Sequence, residues 1–242
     1  MDSSPAGGMV ADSSSGRPRA AVSWSGGKDS CLAFEKMRGT FDVVCAVTMI
    51  NEEGTRSRSH GLRPEVLHAQ TAAAGLDWIQ RRCTWGEYED AFVDALREAA
   101  ARGVTHLICG DILYPEHKDW AERQSAKAGL TAVEPLWGQS TLDLYQEFLG
   151  IGGTARIVSL DASKLGPEWL FRQLDLDALS EFARLGVDAC GENGEYHTLV
   201  TQVPGFAEPL RVQPGERVLS RGYWAIDVVT DARRPLQRSP RQ

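Results

Sequence analysis

The stretch Ser25-Gly26-Gly27-Lys28-Asp29-Ser30 decides the fold of this chain, because it follows a short apolar run and precedes a segment with helical spacing. Two glycines let the backbone come close to an anion. The helix that follows directs free N–H groups and the positive end of its dipole into the same space. Lys28 adds a positive charge, and two serine hydroxyls add donors. The stretch therefore predicts a loop that binds the phosphates of a nucleotide.

This loop differs from the Gly-x-x-x-x-Gly-Lys-Ser/Thr loop of kinases, since Val22 occupies the position of the first glycine and Asp29 follows the lysine. The simpler alternative is a glycine turn that leads into a helix cap. Asp29 repels phosphate, so we interpret it as a residue that orients the loop or binds Mg²⁺.

Strand-like and helix-like segments alternate around this loop. The predicted strands are 19–23, 43–49, 77–82, 104–109 and 131–134, and the predicted helices are 31–38, 64–74, 87–101 and 118–128. This order predicts an α/β fold with a doubly wound, five-stranded parallel sheet that carries helices on both faces.

The pattern changes after Pro135, where helical stretches at 141–149 and 174–185 mix with strand-like stretches at 155–160, 196–203 and 217–229. We interpret this part as a smaller C-terminal α+β domain. The expected division is a disordered leader (1–18), a nucleotide-binding domain (19–138), a second, smaller domain (139–230), to which the resemblance given below assigns the substrate and ammonia, and a polar tail (231–242).

A second polar cluster lies at Gly191–His197, where seven residues hold two carboxylates, an amide, a phenol and an imidazole. Such a density is costly inside a protein unless it serves a site. Glu195 and His197 are expected on one face of the following strand and Tyr196 on the other. Glu192 and Glu195 could bind ammonium or a second metal ion, or accept a proton. The alternative is a polar hairpin turn.

Weaker signals lie at the ends of predicted strands. Gly110 and Asp111 end a buried strand at its carboxyl end, where doubly wound sheets bind ligands, so Asp111 could hold Mg²⁺ or a ribose hydroxyl. Thr48 ends the second strand, near the expected adenine. A local basic patch in the loop that follows could cover the phosphates or stay solvated: Arg56, Arg58, His60 and Arg63.

Composition excludes several classes of protein. The 242 residues carry a net charge of −7, which argues against a stable nucleic-acid partner. No stretch approaches the about 18 apolar residues of a membrane span, and the first eighteen residues do not resemble a secretory signal. The five cysteines form no C-x-x-C pair, which favours reduced thiols in the cytoplasm.

These stretches together resemble the PP-loop, or N-type, ATP pyrophosphatases, and among them the diphthine–ammonia ligase family or a bacterial relative of it. The matching segments fall within residues 20–210 and are 23–30, 60–63, 110–112, 134–137 and, most specifically, 188–198 (DACGENGEYHT). The resemblance implies the adenine-nucleotide hydrolase, or HUP-like, fold. It also implies that ATP adenylates a carboxylate with release of pyrophosphate, and that ammonia then displaces AMP to form an amide.

The resemblance also implies the site residues and partners. The implied catalytic residues are Lys28, Asp29, Glu192, Glu195, Tyr196 and His197. The predicted ligands of ATP are Ser25, Gly26, Gly27, Lys28, Asp29, Ser30, Thr48, Gly110 and Asp111, with Asp29 and Asp111 predicted to hold Mg²⁺. Of these, Thr48 and Asp111 are named from their positions at strand ends. The implied partners are ATP, ammonia and a carboxylate acceptor, which is diphthine on elongation factor 2 if the protein is archaeal or eukaryotic. A homodimer is left open.

Two other functions compete with this interpretation. A nucleotide sensor that binds ATP or AMP without turnover needs only the phosphate loop. The second polar cluster argues against a sensor, because a sensor has no use for a second polar site. A PP-loop enzyme that modifies tRNA would be expected to carry paired cysteines and a basic face. The chain also departs from the family where Ala189 replaces a frequent proline and Lys118 a frequent arginine.

Overall fold

The structure, a computed structural model, describes residues 16–230. Most of the predicted leader and the whole predicted tail lie outside the described residues. The first half forms a five-stranded sheet in the order β3-β2-β1-β4-β5, in which every pair is parallel. Its strands are β1 (Arg19–Ser23), β2 (Asp42–Ile50), β3 (Asp77–Arg82), β4 (His106–Ile108) and β5 (Thr131–Val133).

Four helices cover both faces of this sheet, which confirms the doubly wound α/β fold. They are α1 (Lys28–Met37), α2 (Pro64–Ala73), α3 (Tyr88–Ala101) and α4 (Pro115–Lys127). Alternate residues of β1 point to opposite faces. Ala20 and Val22 pack in a cluster with α1 and α2, whereas Ala21 packs in another cluster with α3 and α4.

The second half forms an antiparallel sheet in the order β7-β6-β9-β8, with two further helices, which confirms an α+β arrangement. Its elements are α5 (Thr141–Gly150), β6 (Thr154–Asp161), a 3₁₀ turn (Pro167–Trp169), α6 (Leu176–Leu185), β7 (Tyr196–Gln202), β8 (Val212–Ser220) and β9 (Tyr223–Thr230).

The strand-like stretch 217–229 is a hairpin, not one strand. Arg221 and Gly222 both adopt positive φ, at 51° and 85°, between β8 and β9. Two such residues in succession match the twist of antiparallel strands and allow a two-residue turn.

Helix α4 begins three residues before the predicted start. Pro115 occupies its first turn, where a missing N–H costs nothing. The prediction used the spacing of apolar residues, and this spacing does not show where the first turn of the helix begins.

Helices α1 and α2 lie between the two sheets. Leu32 and Val66 on these helices share one apolar cluster with Leu199 of β7 and Val228 of β9. The amino end of α1 therefore lies against the second sheet. None of the helices within residues 16–230 has the length and apolar character needed to cross a membrane.

Candidate active site

The predicted phosphate loop connects β1 to α1 and depends on its first glycine. Gly26 has a φ of +82°, and a Cβ atom there would lie 2.7 Å from Leu67. Its carbonyl oxygen accepts hydrogen bonds from Gln70 Nε2 at 3.0 Å and from the Val200 N–H at 2.9 Å. Gln70 also accepts a bond from Trp24 Nε1 at 2.7 Å. The loop is thus held by α2 and β7 as well as by its own turn.

The second glycine of the loop leaves room for an imidazole. A Cβ atom at Gly27 would overlap the His60 ring, and it would lie 3.3 Å from the Thr198 carbonyl oxygen. His60 Nδ1 is 2.8 Å from that same oxygen, so it donates and leaves Nε2 unprotonated. The His197 ring stacks on His60 at 4.7 Å between ring centroids. Burial lowers the pKa of His60 to about 3 and also lowers that of His197, so both are neutral at physiological pH.

Lys28 joins the phosphate loop to the second polar cluster. Its ammonium group is buried, donates to Asp29 Oδ2 at 2.9 Å and to the Cys190 carbonyl oxygen, and lies 5.4 Å from the centre of the Tyr196 ring. Burial is the largest single effect and lowers the pKa of Lys28, but Asp29, Cys190 and Tyr196 together outweigh it and raise the pKa well above its usual range. The Lys28 N–H also donates to Thr198 Oγ1 at 3.0 Å. A permanent positive charge therefore lies between the two motifs.

A cleft opens at the carboxyl ends of β1, β2 and β4. It brings together Ser25, Asp29, Ser30, Thr48, Gly110 and Asp111, which were predicted to bind the nucleotide, and adds Ser23, Trp24, Val47, Met49, Arg58, Ser59, Tyr88 and Phe92. This is the crevice at which the strand order of a doubly wound sheet reverses, between β1 and β4.

The hydroxyl group of Thr48 makes hydrogen bonds within the protein. Its hydroxyl donates to the Trp24 carbonyl oxygen at 2.8 Å and accepts from Trp78 Nε1 at 3.0 Å. Its place in the wall of the cleft is therefore set by two fixed hydrogen bonds.

Gly110 allows β4 to approach the start of α1. A Cβ atom there would lie 2.9 to 3.0 Å from backbone atoms of Asp29 and Ser30. Asp111 follows directly in the same cleft. Burial raises the pKa of Asp111, with a further increase from Asp29, although His117 opposes it. The charge of Asp29 therefore acts on the carboxyl group of Asp111 within the cleft.

Asp29 and Asp111 fit a Mg²⁺ ion that is shared with phosphate. Magnesium in such sites uses one or two carboxylates together with phosphate oxygens and water. Within residues 16–230, no three His, Cys, Asp or Glu side chains group closely enough to hold a metal ion by themselves. The carboxylates that line the cleft are those of Asp29 and Asp111.

Glu195 of the second cluster and Asp188, which precedes the cluster, both accept hydrogen bonds from nearby backbone N–H groups. Glu195 is buried and accepts from the N–H groups of Asp188 and Asn193 at 3.2 and 3.0 Å, and from Asn193 Nδ2 at 3.0 Å. Asp188 in turn accepts from the N–H groups of Cys190 at 2.8 Å and Glu192 at 3.1 Å. These contacts support a structural role for Glu195, which the sequence does not distinguish from a catalytic one.

Glu192 differs from Glu195 because it faces charges of the cleft. Burial raises the pKa of Glu192 to about 7, and Asp29 adds to the increase while Lys28 opposes it. A carboxyl group with this pKa can exchange a proton near neutral pH. Tyr196, in contrast, stacks on Phe182 at 4.8 Å and donates to the Ala189 carbonyl oxygen.

The predicted basic patch is largely neutralised. Arg56 and Arg63 both bind Asp227 of β9, and Arg58 pairs with Glu52 and the Cys83 carbonyl oxygen. Since His60 is neutral, Arg58 is the one cation of this patch that lines the cleft.

The site residues named from the sequence left out several residues that hold or border the site. Gln70 and Asp227 were not named, and Glu134 and Thr198 were named only within the matching segments 134–137 and 188–198. Both oxygens of Glu134 are buried and have no hydrogen-bond partner among the residues that the structure describes. Burial raises the pKa of Glu134 to about 7, helped by Asp111 and opposed by Lys118. An unbonded buried carboxyl is the local signal that marks it, and this is visible only in the structure.

Comparison with known proteins identifies a family for both halves of the chain. The family described as diphthamide synthase N-terminal domain matches residues 18–132, and the diphthamide synthase C-terminal domain matches residues 140–231. Diphthine–ammonia ligase of Homo sapiens is 25% identical over 229 residues, and that of Rattus norvegicus is 22% identical over 227 residues. Each alignment covers 83% of this chain and 85% of the relative. A solved structure from Methanocaldococcus jannaschii, described as a predicted subunit of tRNA methyltransferase, is 14% identical, covers 79% of this chain and 99% of its own, and has a TM-score of 0.38.

Proposed function

Since the chain belongs to the diphthamide synthase family, we propose that it is an ATP-dependent ligase that converts a carboxylate into an amide with ammonia. The observation that carries this proposal is the contact of Lys28 with both motifs. Its ammonium group binds Asp29 of the phosphate loop and the Cys190 carbonyl oxygen of the second cluster. This contact places the second cluster next to the phosphate loop, which supports activation by ATP and attack by ammonia at neighbouring positions.

The first step is adenylation of the acceptor. The triphosphate would lie at the amino end of α1, where N–H groups of the first turn other than that of Lys28, and the hydroxyls of Ser25 and Ser30, would bind it. Asp29 and Asp111 would hold Mg²⁺, which supplies charge neutralisation to the phosphates when bound. An oxygen of the acceptor carboxylate attacks the α-phosphorus, the bond to the bridging oxygen of the β-phosphate breaks, and pyrophosphate leaves.

The second step is transfer of ammonia. Glu192, with a pKa of about 7, accepts one proton from ammonium and so releases the nucleophile. Ammonia forms a C–N bond with the acyl carbon, the C–O bond to the phosphate breaks, and AMP leaves. The nitrogen then loses a second proton to water, which yields the neutral amide.

We propose only the chemical class of the acceptor, which is a carboxylate. The relatives carry the name diphthine–ammonia ligase, which specifies diphthine for those proteins. A diphthine-modified protein is the first acceptor to test here, and other carboxylates in a cell extract are the second.

The proposal is tested by separating the products of α-labelled ATP. The protein is incubated with Mg²⁺ and ammonium, with and without cell extract, and AMP is separated from ADP. We expect AMP and pyrophosphate, with release stimulated by extract and lost in Asp29→Asn. Formation of ADP would contradict the proposal. ATP binding without product in every extract would favour a nucleotide sensor.

A further inference from the structure

The loop between β2 and α2 supplies part of the nucleotide cleft. Arg58 and Ser59 line the cleft, and His60 fills the space beneath Gly27. Residues 51–63 are all described, and apart from a bridge between Ser57 and Ile50 they form neither helix nor strand. Backbone hydrogen bonds shape this loop, such as those from the Ser57 N–H to the Leu62 carbonyl oxygen at 2.8 Å and from the Arg58 N–H to the Met49 carbonyl oxygen at 2.9 Å. Side-chain contacts at its two ends add to these bonds.

One carboxylate from the last strand holds this loop on both sides. Asp227 of β9 accepts from Arg56 Nη1 at 2.6 Å and from Arg63 Nη2 at 2.7 Å. Arg63 Nε donates to both oxygens of Asp227, at 2.9 and 3.1 Å. The two arginines bracket residues 57–62, the segment that reaches the cleft.

The Asp227 carboxylate is ionised whenever the protein is folded near neutral pH. Hydrogen bonds from Arg63, and then from Arg56, lower its pKa to about 2, although partial burial opposes this shift. Its side chain is 18% exposed, which limits the competition from water. Charge-assisted pairs that are bidentate and partly shielded are stronger and more directional than ordinary surface pairs.

We propose that Asp227 is a positioning residue for nucleotide binding, which acts through Arg56 and Arg63 to hold Arg58, Ser59 and His60 in place. It does not line the cleft itself, so its effect on ATP must pass through the loop. The proposal rests on the proposed function for the identity of the ligand, because it assumes that the cleft binds ATP.

The test compares the affinity for ATP with Mg²⁺ among matched variants by calorimetry. Asp227→Asn keeps the shape but removes the charge, and we expect its Kd to rise about tenfold. Asp227→Glu keeps the charge and is expected to recover most of the affinity. Asp94→Asn is the control, since Asp94 binds Arg81 at 2.7 Å on the outer face of α3 and should leave the Kd unchanged.

Arg63→Lys provides a second variant if Asp227→Asn does not fold, because it keeps the charge and loses the bidentate geometry. A Kd in Asp227→Asn equal to that of the unaltered protein, or an equal rise in Asp94→Asn, would overturn the positioning role. If the unaltered protein binds ATP but forms no AMP, the proposed function fails while the Kd comparison still decides the role of Asp227. If the unaltered protein binds no ATP, both proposals are wrong.

Discussion

The space beneath the phosphate loop allows a quantitative test with Gly27→Ala and His60→Ala. A methyl group at Gly27 would overlap the His60 ring and lie 2.9 Å from its Nδ1 atom. Overpacking of this kind costs about 1–3 kcal/mol. Removal of the partly buried His60 ring costs about 1–3 kcal/mol, because it leaves a cavity and removes the hydrogen bond to the Thr198 carbonyl oxygen.

The double variant should cost less than the sum, because alanine at position 60 frees the space that the new methyl group needs. We expect a coupling of about 1–2 kcal/mol in its favour, measured from urea denaturation of the four proteins. The Thr198 carbonyl oxygen, at 3.3 Å from the added carbon, prevents full recovery.

Gly26→Ala serves as the control for this cycle. Its strain comes from a φ of +82° and from Leu67, so removal of His60 should not relieve it. Additive effects of Gly27→Ala and His60→Ala, within about 0.5 kcal/mol, would refute the packing argument. The packing argument would also be refuted if His60→Ala reduced the destabilisation by Gly26→Ala as much as it reduces that by Gly27→Ala.

Three further predictions concern charged groups. In the folded protein the pKa of Glu134 is raised from 4.5 to about 7. The contribution of this group to the free energy of unfolding is therefore complete below pH 4.5, the pKa in the unfolded chain, and it is lost as the pH rises through 7. Glu134→Gln should therefore raise the free energy of unfolding at pH 8 by about 1–2 kcal/mol after solvent screening, and a pH series of urea melts without that gain would contradict this. Lys28→Met leaves Asp29 and the Cys190 carbonyl oxygen without their partner, and thermal denaturation should show a loss of about 2–4 kcal/mol. Glu192→Gln should flatten the pH dependence of ammonia transfer between about pH 6 and 8 while ATP affinity is retained, and an unchanged profile would exclude Glu192 as the proton acceptor.

The parallel sheet was predictable because its signals are local. Short apolar runs end at glycine or proline and alternate with amphipathic stretches, so each strand and helix is visible in its own window of sequence. The phosphate loop is equally local, since its residue types and its place after β1 lie within one segment. The structure confirms the fold from these patterns, whereas the roles within the site stay predictions.

The contacts that assemble the site were not predictable, because they join distant parts of the chain. Gln70 bonds Gly26 from α2, and Asp227 binds Arg63 from 164 residues away. Neither residue belongs to a motif, and a polar residue in an amphipathic segment usually faces solvent. Glu195 is the opposite case. Its residue type and its place in a polar cluster suggested a catalytic role, whereas its three hydrogen bonds stabilise the loop that contains it.

The bonds between the phosphate loop and β7 have a consequence for how such proteins are inherited. The Lys28 N–H donates to Thr198, and the Val200 N–H donates to Gly26. A gene that kept the first family domain and lost the second would encode a loop without these partners. Because both bonds cross from the first domain to the second, we expect the two domains to be retained together in the descendants of one gene.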